Sequence, residues 1–464
     1  VSDLLHADAR LVDAGTGRQL GGPDLAARVA DLATSLDREP PGVVFATVPA
    51  DIDAVVRVLA AWQAGRPVAL LDPQIPAATL RDLVDRFRPA LLLTHPTSPD
   101  GYRAAEVGPG PAWRRTGPSG PTPHPDLALL LTTSGSTGNP KLVRLSRSAV
   151  RANAAAIAAA LDLDGDEVAP TTLPLHYTYG LSVLTSHLHA GATVLLERSG
   201  LTSRDFWSAV DRHRVTSLAA VPYQYEMLRR LRFAPGRYER LRTLTQAGGR
   251  LHPDLVTDFH GRMTEVEGRF FVMYGQTEAT ARMTVLPSDR LPAKLGSVGL
   301  AVPGGTVSIR TDEGVETTEA ARVGEIVYRG PNVMMGYAES AADLARPDEL
   351  GGTLATGDLG RLDPEGFLFV TGRIKRIAKV FGVRVNLDDV ERSLGHHGPL
   401  AAIAGADRLV VVAEGADADQ LARIRTEVAA ALGTHSSGVQ VRSVDALPLT
   451  PAGKPDYRAL EAQC

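Results

Sequence analysis

The feature that most constrains this chain is a repeated change of period along its length. Short apolar runs of four to seven residues alternate with stretches patterned for helices. GVVFATV, around residues 43–48, has the length and the β-branched content of a buried strand. DIDAVVRVLAAWQAG (51–65) follows with a helical pattern, Asp51 as a candidate cap and Gly65 as a stop. PVALLD and ALLLTH are further strands, separated by a helix around Leu80–Phe87. The alternation resumes with a strand at 127–132 and an alanine-rich helix near 149–161. Strands near 193–197, 217–221, 243–247 and 270–274 then have helices between them. Strands that alternate with helices predict mainly parallel sheets covered by helices.

The pattern breaks twice. Residues 98–125 are rich in proline and glycine and read as a surface linker. From about 294, GTVSIRT, GEIVYRG and GFLFVTG are short strands with turns such as DPEG, the pattern of a small barrel-like β unit. After GRIKR come a hairpin-like piece, one helix (417–433), the strand VQVRSV and a tail. The fold expected is therefore α/β. A large N-terminal domain (1–374, in sections of about 1–125, 126–293 and 294–374) precedes a small α+β C-terminal domain (375–464).

Composition removes several functional classes. A net charge of −4 gives no electrostatic ground for binding nucleic acid or an anionic membrane. No apolar run approaches the ~18 residues of a membrane span, and the first residues do not read as a signal peptide. The one cysteine, Cys464, cannot form an internal disulfide, which fits the cytoplasm. Of the 49 basic residues only Lys141, Lys294, Lys375, Lys379 and Lys454 are lysines. A chain that writes positive charge as arginine keeps lysine where a compact, rotatable ammonium is needed.

Lys141 closes LLLTTSGSTGNPK (129–141), an apolar strand that runs into glycines and hydroxyls. Glycines let backbone N–H groups converge on an anion, and the hydroxyls and lysine add donors, so the segment reads as a phosphate cradle. It is not the P-loop of nucleotide triphosphatases. Lys141 follows Pro140 rather than glycine, and Leu142 stands where a metal-binding hydroxyl belongs.

The segment resembles the [ST]-[ST]-G-[ST]-T-G-x-P-K signature of the adenylate-forming superfamily. That superfamily holds acyl- and aryl-CoA synthetases, peptide-synthetase adenylation domains and firefly luciferase. Four more segments resemble its motifs in the same order: MYGQTEAT (273–280), TGDLGRLDPEGFLFVTGR (356–373), KRIAKVFGVRVNLDDVE (375–391) and LPLTPAGKPDYRAL (447–460). The resemblance implies ATP-dependent activation of a small carboxylic acid as acyl-AMP, with release of pyrophosphate. Transfer then goes to a thiol, either CoA or the phosphopantetheine of a carrier protein acting in trans.

By the same resemblance, Thr133, Ser134, Gly135, Ser136, Thr137, Gly138 and Lys141 would hold ATP phosphates. Glu278, with Thr137, would bind Mg2+, and Thr277 would contact the α-phosphate. Tyr274 and Gly275, with Gly248 and Gly249 of QAGGRL, would border the adenine, and Asp358 and Arg373 the ribose. Lys454 would reach the reacting carboxylate. Lys375 marks a hinge that makes the C-terminal domain mobile, and Lys379 and Gly382 would face a thiol tunnel. His176, Tyr177, Tyr223, Gln224, Met273 and Val298 are candidates for the acyl pocket, with either His176 or Tyr177 as its gate. No aspartate in LPLHYTYG offers an anchor for an α-amino group, which favours an aryl or aliphatic acid. Two alternatives stand beside this reading: transfer of the adenylate to an amine, and a nucleotide-binding homologue without catalysis.

Overall fold

A computed structural model describes residues 4–93, 100–132, 141–380, 383–405, 408–431, 438–450 and 455–463, with backbone alone at 375, 377–380, 383–384, 386 and 431. The chain divides into two compact units, Val1–Thr306 with Tyr328–Leu354, and Val307–Val327 with Ala355–Cys464. The boundary expected at 374/375 falls inside the second unit.

In the first unit the early alternation builds an eight-stranded sheet. Its parallel centre is Leu127–Thr132, Val68–Leu71, Val44–Thr47 and Leu91–Leu93. The crossovers are the helices Ile52–Gln63 and Ala77–Phe87. Asp51 caps the first, its carboxylate accepting from the Ala54 N–H at 2.8 Å. Ten of that helix's twelve residues are buried, so it is packed on both sides rather than lying on the surface. The proline-rich segment is more ordered than its composition suggests. Tyr102–Ala104 and Ala112–Arg115 extend one end of the sheet as antiparallel strands. Tyr102 is buried and donates to the Pro89 carbonyl at 2.7 Å, and the Arg115 guanidinium lies 5.5 Å from its ring centre. At the other end Leu142–Ser146 pairs antiparallel with Leu127–Thr132, and Gly336–Ala338 with Leu142–Ser146.

A second sheet of the first unit has Ser217–Ala220, Thr243–Gln246 and Arg269–Tyr274 in parallel, followed by the antiparallel strands Thr284–Leu286 and Leu300–Ala301. In this register Ala220 lies opposite Gln246, and Gln246 opposite Val272. A third sheet, four-stranded, joins Val168–Pro170, Thr193–Leu196, Arg10–Asp13 and Gln19–Gly21.

The second unit corrects the barrel-like expectation. Its five strands run in the order Glu316–Thr317, Thr306–Arg310, Gly324–Arg329, Thr353–Leu362, Leu368–Arg373, and the sheet stays open among the described residues. Gly336–Ala338 does not join this sheet and pairs at the edge of the eight-stranded one. The C-terminal part holds the hairpin Ile377–Val380/Val383–Asn386 and a sheet of Leu400–Ala404, Leu409–Glu414 and Val439–Val444. The last two strands are parallel, joined through the helix Ala418–Ala431, whose Ile424 and Val428 pack with Val390, Leu394 and Val411. No described helix is long and apolar enough to cross a membrane.

Candidate functional site

Three segments singled out in the sequence leave one sheet edge together. The strands ending at Ala220, Gln246 and Tyr274 are adjacent and parallel, the last running two residues further, so Tyr223, Gly248–Gly249 and Gly275–Glu278 follow carboxyl ends on the same side of the sheet. Ligands of open α/β sheets bind at this end, where loops diverge and backbone groups are uncovered.

Close packing dictates the glycines. Gly248 has φ +82°, and a Cβ there would stand 2.6 Å from the Tyr177 hydroxyl. A Cβ at Gly275 would lie 1.6 Å from the Ala281 carbonyl oxygen, so no side chain fits between the strand end and the returning chain. The Gln246 side chain donates to the Gly249 carbonyl at 2.7 Å and closes the QAGG turn from below.

Thr277 and Glu278 lie on a single 3-10 turn, Thr277–Ala279. Thr277 shares a 2.7 Å hydroxyl–hydroxyl hydrogen bond with Thr178, the first residue of the helix Thr178–His189. The turn ends in strained backbone, with Thr280 at φ 60° and Ala281 at φ 137°, neither a glycine. Asn332, 2% exposed, holds it there. Its side-chain NH2 donates to the carbonyls of Ala279 (2.8 Å) and Arg282 (3.1 Å), and its own carbonyl accepts from the Thr280 hydroxyl (2.6 Å). Tyr328 donates to the Asn332 side-chain oxygen at 2.8 Å. Asn153 takes the Arg282 carbonyl from another helix at 2.8 Å. The sequence reading missed Asn332, Asn153 and Arg282.

Lys141 enters through strand register. Ala338 lies opposite Leu142, so the next residues outward, Glu339 and Lys141, are neighbours, and their charges meet at 2.6 Å. The Lys141 ammonium is 5.9 Å from the centre of the Tyr337 ring, and the Tyr337 hydroxyl donates to Glu278 at 2.7 Å. Burial, with the Glu278 carboxylate beside it, holds the Tyr337 phenol well above the usual tyrosine range, so it remains a donor.

The candidate gate residues differ in environment. His176 lies 3.6 Å from the Asp72 carboxylate, and its buried Nδ1 has no partner among the described residues. Burial pushes the imidazole down, against the pull of Asp72. Burial, with Tyr179 at its edge, raises the Tyr177 hydroxyl to about 12. Met273 is buried in the cluster that Tyr177 packs against, whereas Tyr223 is 47% exposed. Gln224 spends its amide on backbone, accepting from the Val221 N–H at 3.0 Å and donating to the Thr172 carbonyl at 2.9 Å. The Val298 carbonyl accepts from Thr284 at 2.6 Å.

In the second unit, Asp358 and Arg373 face each other across adjacent antiparallel strands, with 2.9 Å between the carboxylate and the guanidinium. The Asp358 side chain is almost wholly buried. Lys379 lies in the hairpin strand Ile377–Val380, opposite Arg384. Beside Lys375, Arg376 is tied into the C-terminal part. It bonds Asp388 (2.8 Å), Glu391 (2.5 Å) and the Ala402 carbonyl (2.8 Å), and it lies 3.8 Å from the centre of the Tyr457 ring. Residues 133–140 (with Thr133, Ser134, Gly135, Ser136, Thr137 and Gly138), Gly382 and Lys454 lie outside the described residues. The segment carrying Lys454 is bracketed by an antiparallel bridge between Leu449 and Pro455.

A family model of AMP-binding enzymes matches residues 5–338, and this chain belongs to that family. The indoleacetate–CoA ligase of Aromatoleum aromaticum is 32% identical over 339 residues, covering 70% of this chain and 64% of that protein. The isonitrile lipopeptide synthase of Streptomyces coeruleorubidus is 31% identical over 96% of this chain, which spans only 32% of that protein. The chain thus spans less than two thirds of the length of either relative. Among solved structures, the amide bond synthetase of Marinactinospora thermotolerans superposes with a TM-score of 0.74 at 26% identity, covering 98% of this chain and 96% of that one.

Proposed function

We propose that the chain uses ATP to activate a small carboxylic acid as acyl-AMP, releasing pyrophosphate, and then passes the acyl group to a thiol of CoA or of a carrier protein's phosphopantetheine. A carboxylate is a poor electrophile because oxide would have to leave. Joining it to AMP supplies a good leaving group, and the protein's work is positioning and charge stabilisation. The observation that carries the proposal is that Tyr337 lies near both Lys141, whose ammonium is 5.9 Å from its ring centre, and Glu278, which accepts from its hydroxyl, with Thr277 one residue away.

The donors present suit a nucleotide with its metal. Lys141, with the 133–138 segment, would hold phosphates. Its ion pair with Glu339 is exposed on both sides, worth about 0–1 kcal/mol, and so yields easily to a triphosphate. Glu278 and Thr137 would hold Mg2+, a hard cation suited to oxygen ligands that would offset phosphate charge. Tyr274, Gly275, Gly248 and Gly249 would border the adenine, and Asp358 with Arg373 the ribose. His176, Tyr177, Tyr223, Gln224, Met273 and Val298 would line or gate the acyl site. Lys454 would bring its ammonium to the reacting carboxylate, and Lys379 and Gly382 would line the thiol route.

The domain reading is a large portion through residue 374 and a mobile portion from 375. Arg376 supports a pivot at Lys375 or earlier, because its guanidinium is bound within the C-terminal part and must travel with it. A second reading, transfer to an amine, is favoured by the likeness to the amide bond synthetase. ATP–pyrophosphate exchange with a panel of aryl and aliphatic acids tests the first half-reaction. Exchange that depends on one acid supports it, and no exchange with any acid contradicts it. Adding CoA, a phosphopantetheinylated carrier or an amine then identifies the acceptor.

A further inference from the structure

The second unit holds a cluster that the proposed chemistry does not use. The helix Leu387–Ser393 ends in the short turn Gly395–His397, which brings two adjacent histidines against the helix Ala418–Ala431. Two residues of that helix, seven apart and so on one face, receive them. Gln420 donates to the His397 carbonyl at 2.6 Å, and Glu427 faces both rings. One carboxylate oxygen of Glu427 lies 2.8 Å from His397 Nε2 and 3.3 Å from His396 Nε2. The rings themselves are 4.1 Å apart between centroids.

The proton inventory of His396 is informative. Its Nδ1 lies 3.1 Å from the Ser393 carbonyl oxygen, which only accepts, so the Nδ1 carries the hydrogen. With Nδ1 of His396 committed to the Ser393 carbonyl, Nε2 of each ring is the atom turned to the shared carboxylate.

We propose that His396, His397 and Glu427 form a binding site for a late first-row divalent metal ion such as Zn2+, Co2+ or Ni2+. The three ligand atoms all lie within 4.8 Å of one another. Tetrahedral bonds of about 2.0–2.1 Å require ligand separations near 3.3 Å, so small adjustments suffice. Two imidazoles and one carboxylate select this class over Mg2+ or Ca2+, which prefer oxygen alone. The Nδ1–H bond to a backbone carbonyl is the outer-shell contact by which proteins orient a ligating histidine. His396 is exposed, with 59% of its side chain accessible, so the fourth position is left to water. The ion would join the 395–397 turn to the helix Ala418–Ala431.

The test is titration of the metal-stripped full chain with Co2+, followed by the visible bands of the tetrahedral ion and by equilibrium dialysis, with Zn2+ as competitor. One equivalent is expected to bind, Zn2+ is expected to displace it, and Zn2+ is expected to raise the melting midpoint. Glu427→Gln and the exposed His396→Ala, which removes no buried side chain, are each expected to weaken binding at least tenfold and to abolish the Zn2+-dependent rise. Binding of equal strength in wild type and both variants, or no equivalent bound by the wild type, would overturn the proposal. Circular dichroism confirms that the variants are folded, and should one fail, the other carries the test.

Discussion

Two anchors, one in each unit, fix backbone next to the residues proposed to act, and they do so by different means. In the first unit the centre is a neutral amide. The Asn332 side chain donates to two carbonyls and accepts from the Tyr328 hydroxyl, and its backbone carbonyl accepts from Thr280, pinning the strained turn that bears Thr277 and Glu278. In the second unit the centre is ionic. Arg376 gathers Asp388, Glu391, a carbonyl and an aromatic face just after Lys375. A neutral clamp holds a turn without adding charge where phosphates are proposed to bind. An ionic clamp would fasten one end of the segment proposed to swing, leaving the bonds before it as the place to rotate. Burial raises Glu391, yet both its oxygens are engaged, one by Arg376 and the Ala402 N–H and the other by Tyr457.

Removing the ionic clamp should cost most. Arg376→Ala leaves Glu391 and Asp388 partly buried without their cation, and a loss of about 3–5 kcal/mol is expected. The loss would be measured by denaturant unfolding and seen as early proteolysis of the C-terminal part. Arg376→Lys should recover little, because an ammonium cannot reproduce the fork that bonds three acceptors. Full stability in either variant would erase the contrast between the anchors.

Asn332→Ala should cost about 1–3 kcal/mol by leaving the buried Ala279 carbonyl and Tyr328 hydroxyl without their side-chain partner. It should also raise KM for ATP, since the turn relaxes, a pairing that steady-state kinetics at a permissive temperature can detect. Loss of stability with unchanged kinetics would reduce Asn332 to a core residue.

The third prediction concerns acid. His187 is buried in the first unit, its Nδ1 2.8 Å from the Val183 carbonyl, and burial depresses its pKa to about 4. Between pH 6.5 and 4 the unfolded chain therefore binds a proton that the folded chain refuses. Stability should fall as the pH drops through that window, by up to about 3 kcal/mol. His187→Gln should flatten the dependence of the melting midpoint on pH, and an unchanged slope would assign the acid sensitivity elsewhere. The smallest effect expected is loss of the Asp51 cap. Asp51→Ala should cost about 1 kcal/mol by thermal melting, a reference for an ordinary local contact.

Much of this was legible in the sequence where the signal is local. The alternation at 43–93 gave the parallel strands and their helices, and the capping role of Asp51 follows from its place before an apolar helical pattern. MYGQTEAT announced a strand end followed by a polar turn. The illegible parts depend on partners remote in sequence. Nothing around Asn332 in GPNVMMGY predicts that it will meet Ala279 and Arg282, and Arg376 reads as one more charge in GRIKR. Composition misled at 98–125, because Pro and Gly mark turns without excluding the short strands between them. It misled again after 294, where short strands and tight turns are shared by barrels and open sheets. The histidine pair 396–397 carried no message until the helix Ala418–Ala431 was placed beside it.

The central claim of the proposed function is that Lys454, like Lys141 and Glu278, takes part in activating the acid. Pyrophosphate exchange by Lys454→Ala, with the acid that wild type prefers, tests it most directly. A fall of roughly 10²–10³-fold, the scale of one lost transition-state donor, is predicted. Exchange at the wild-type rate would contradict the account.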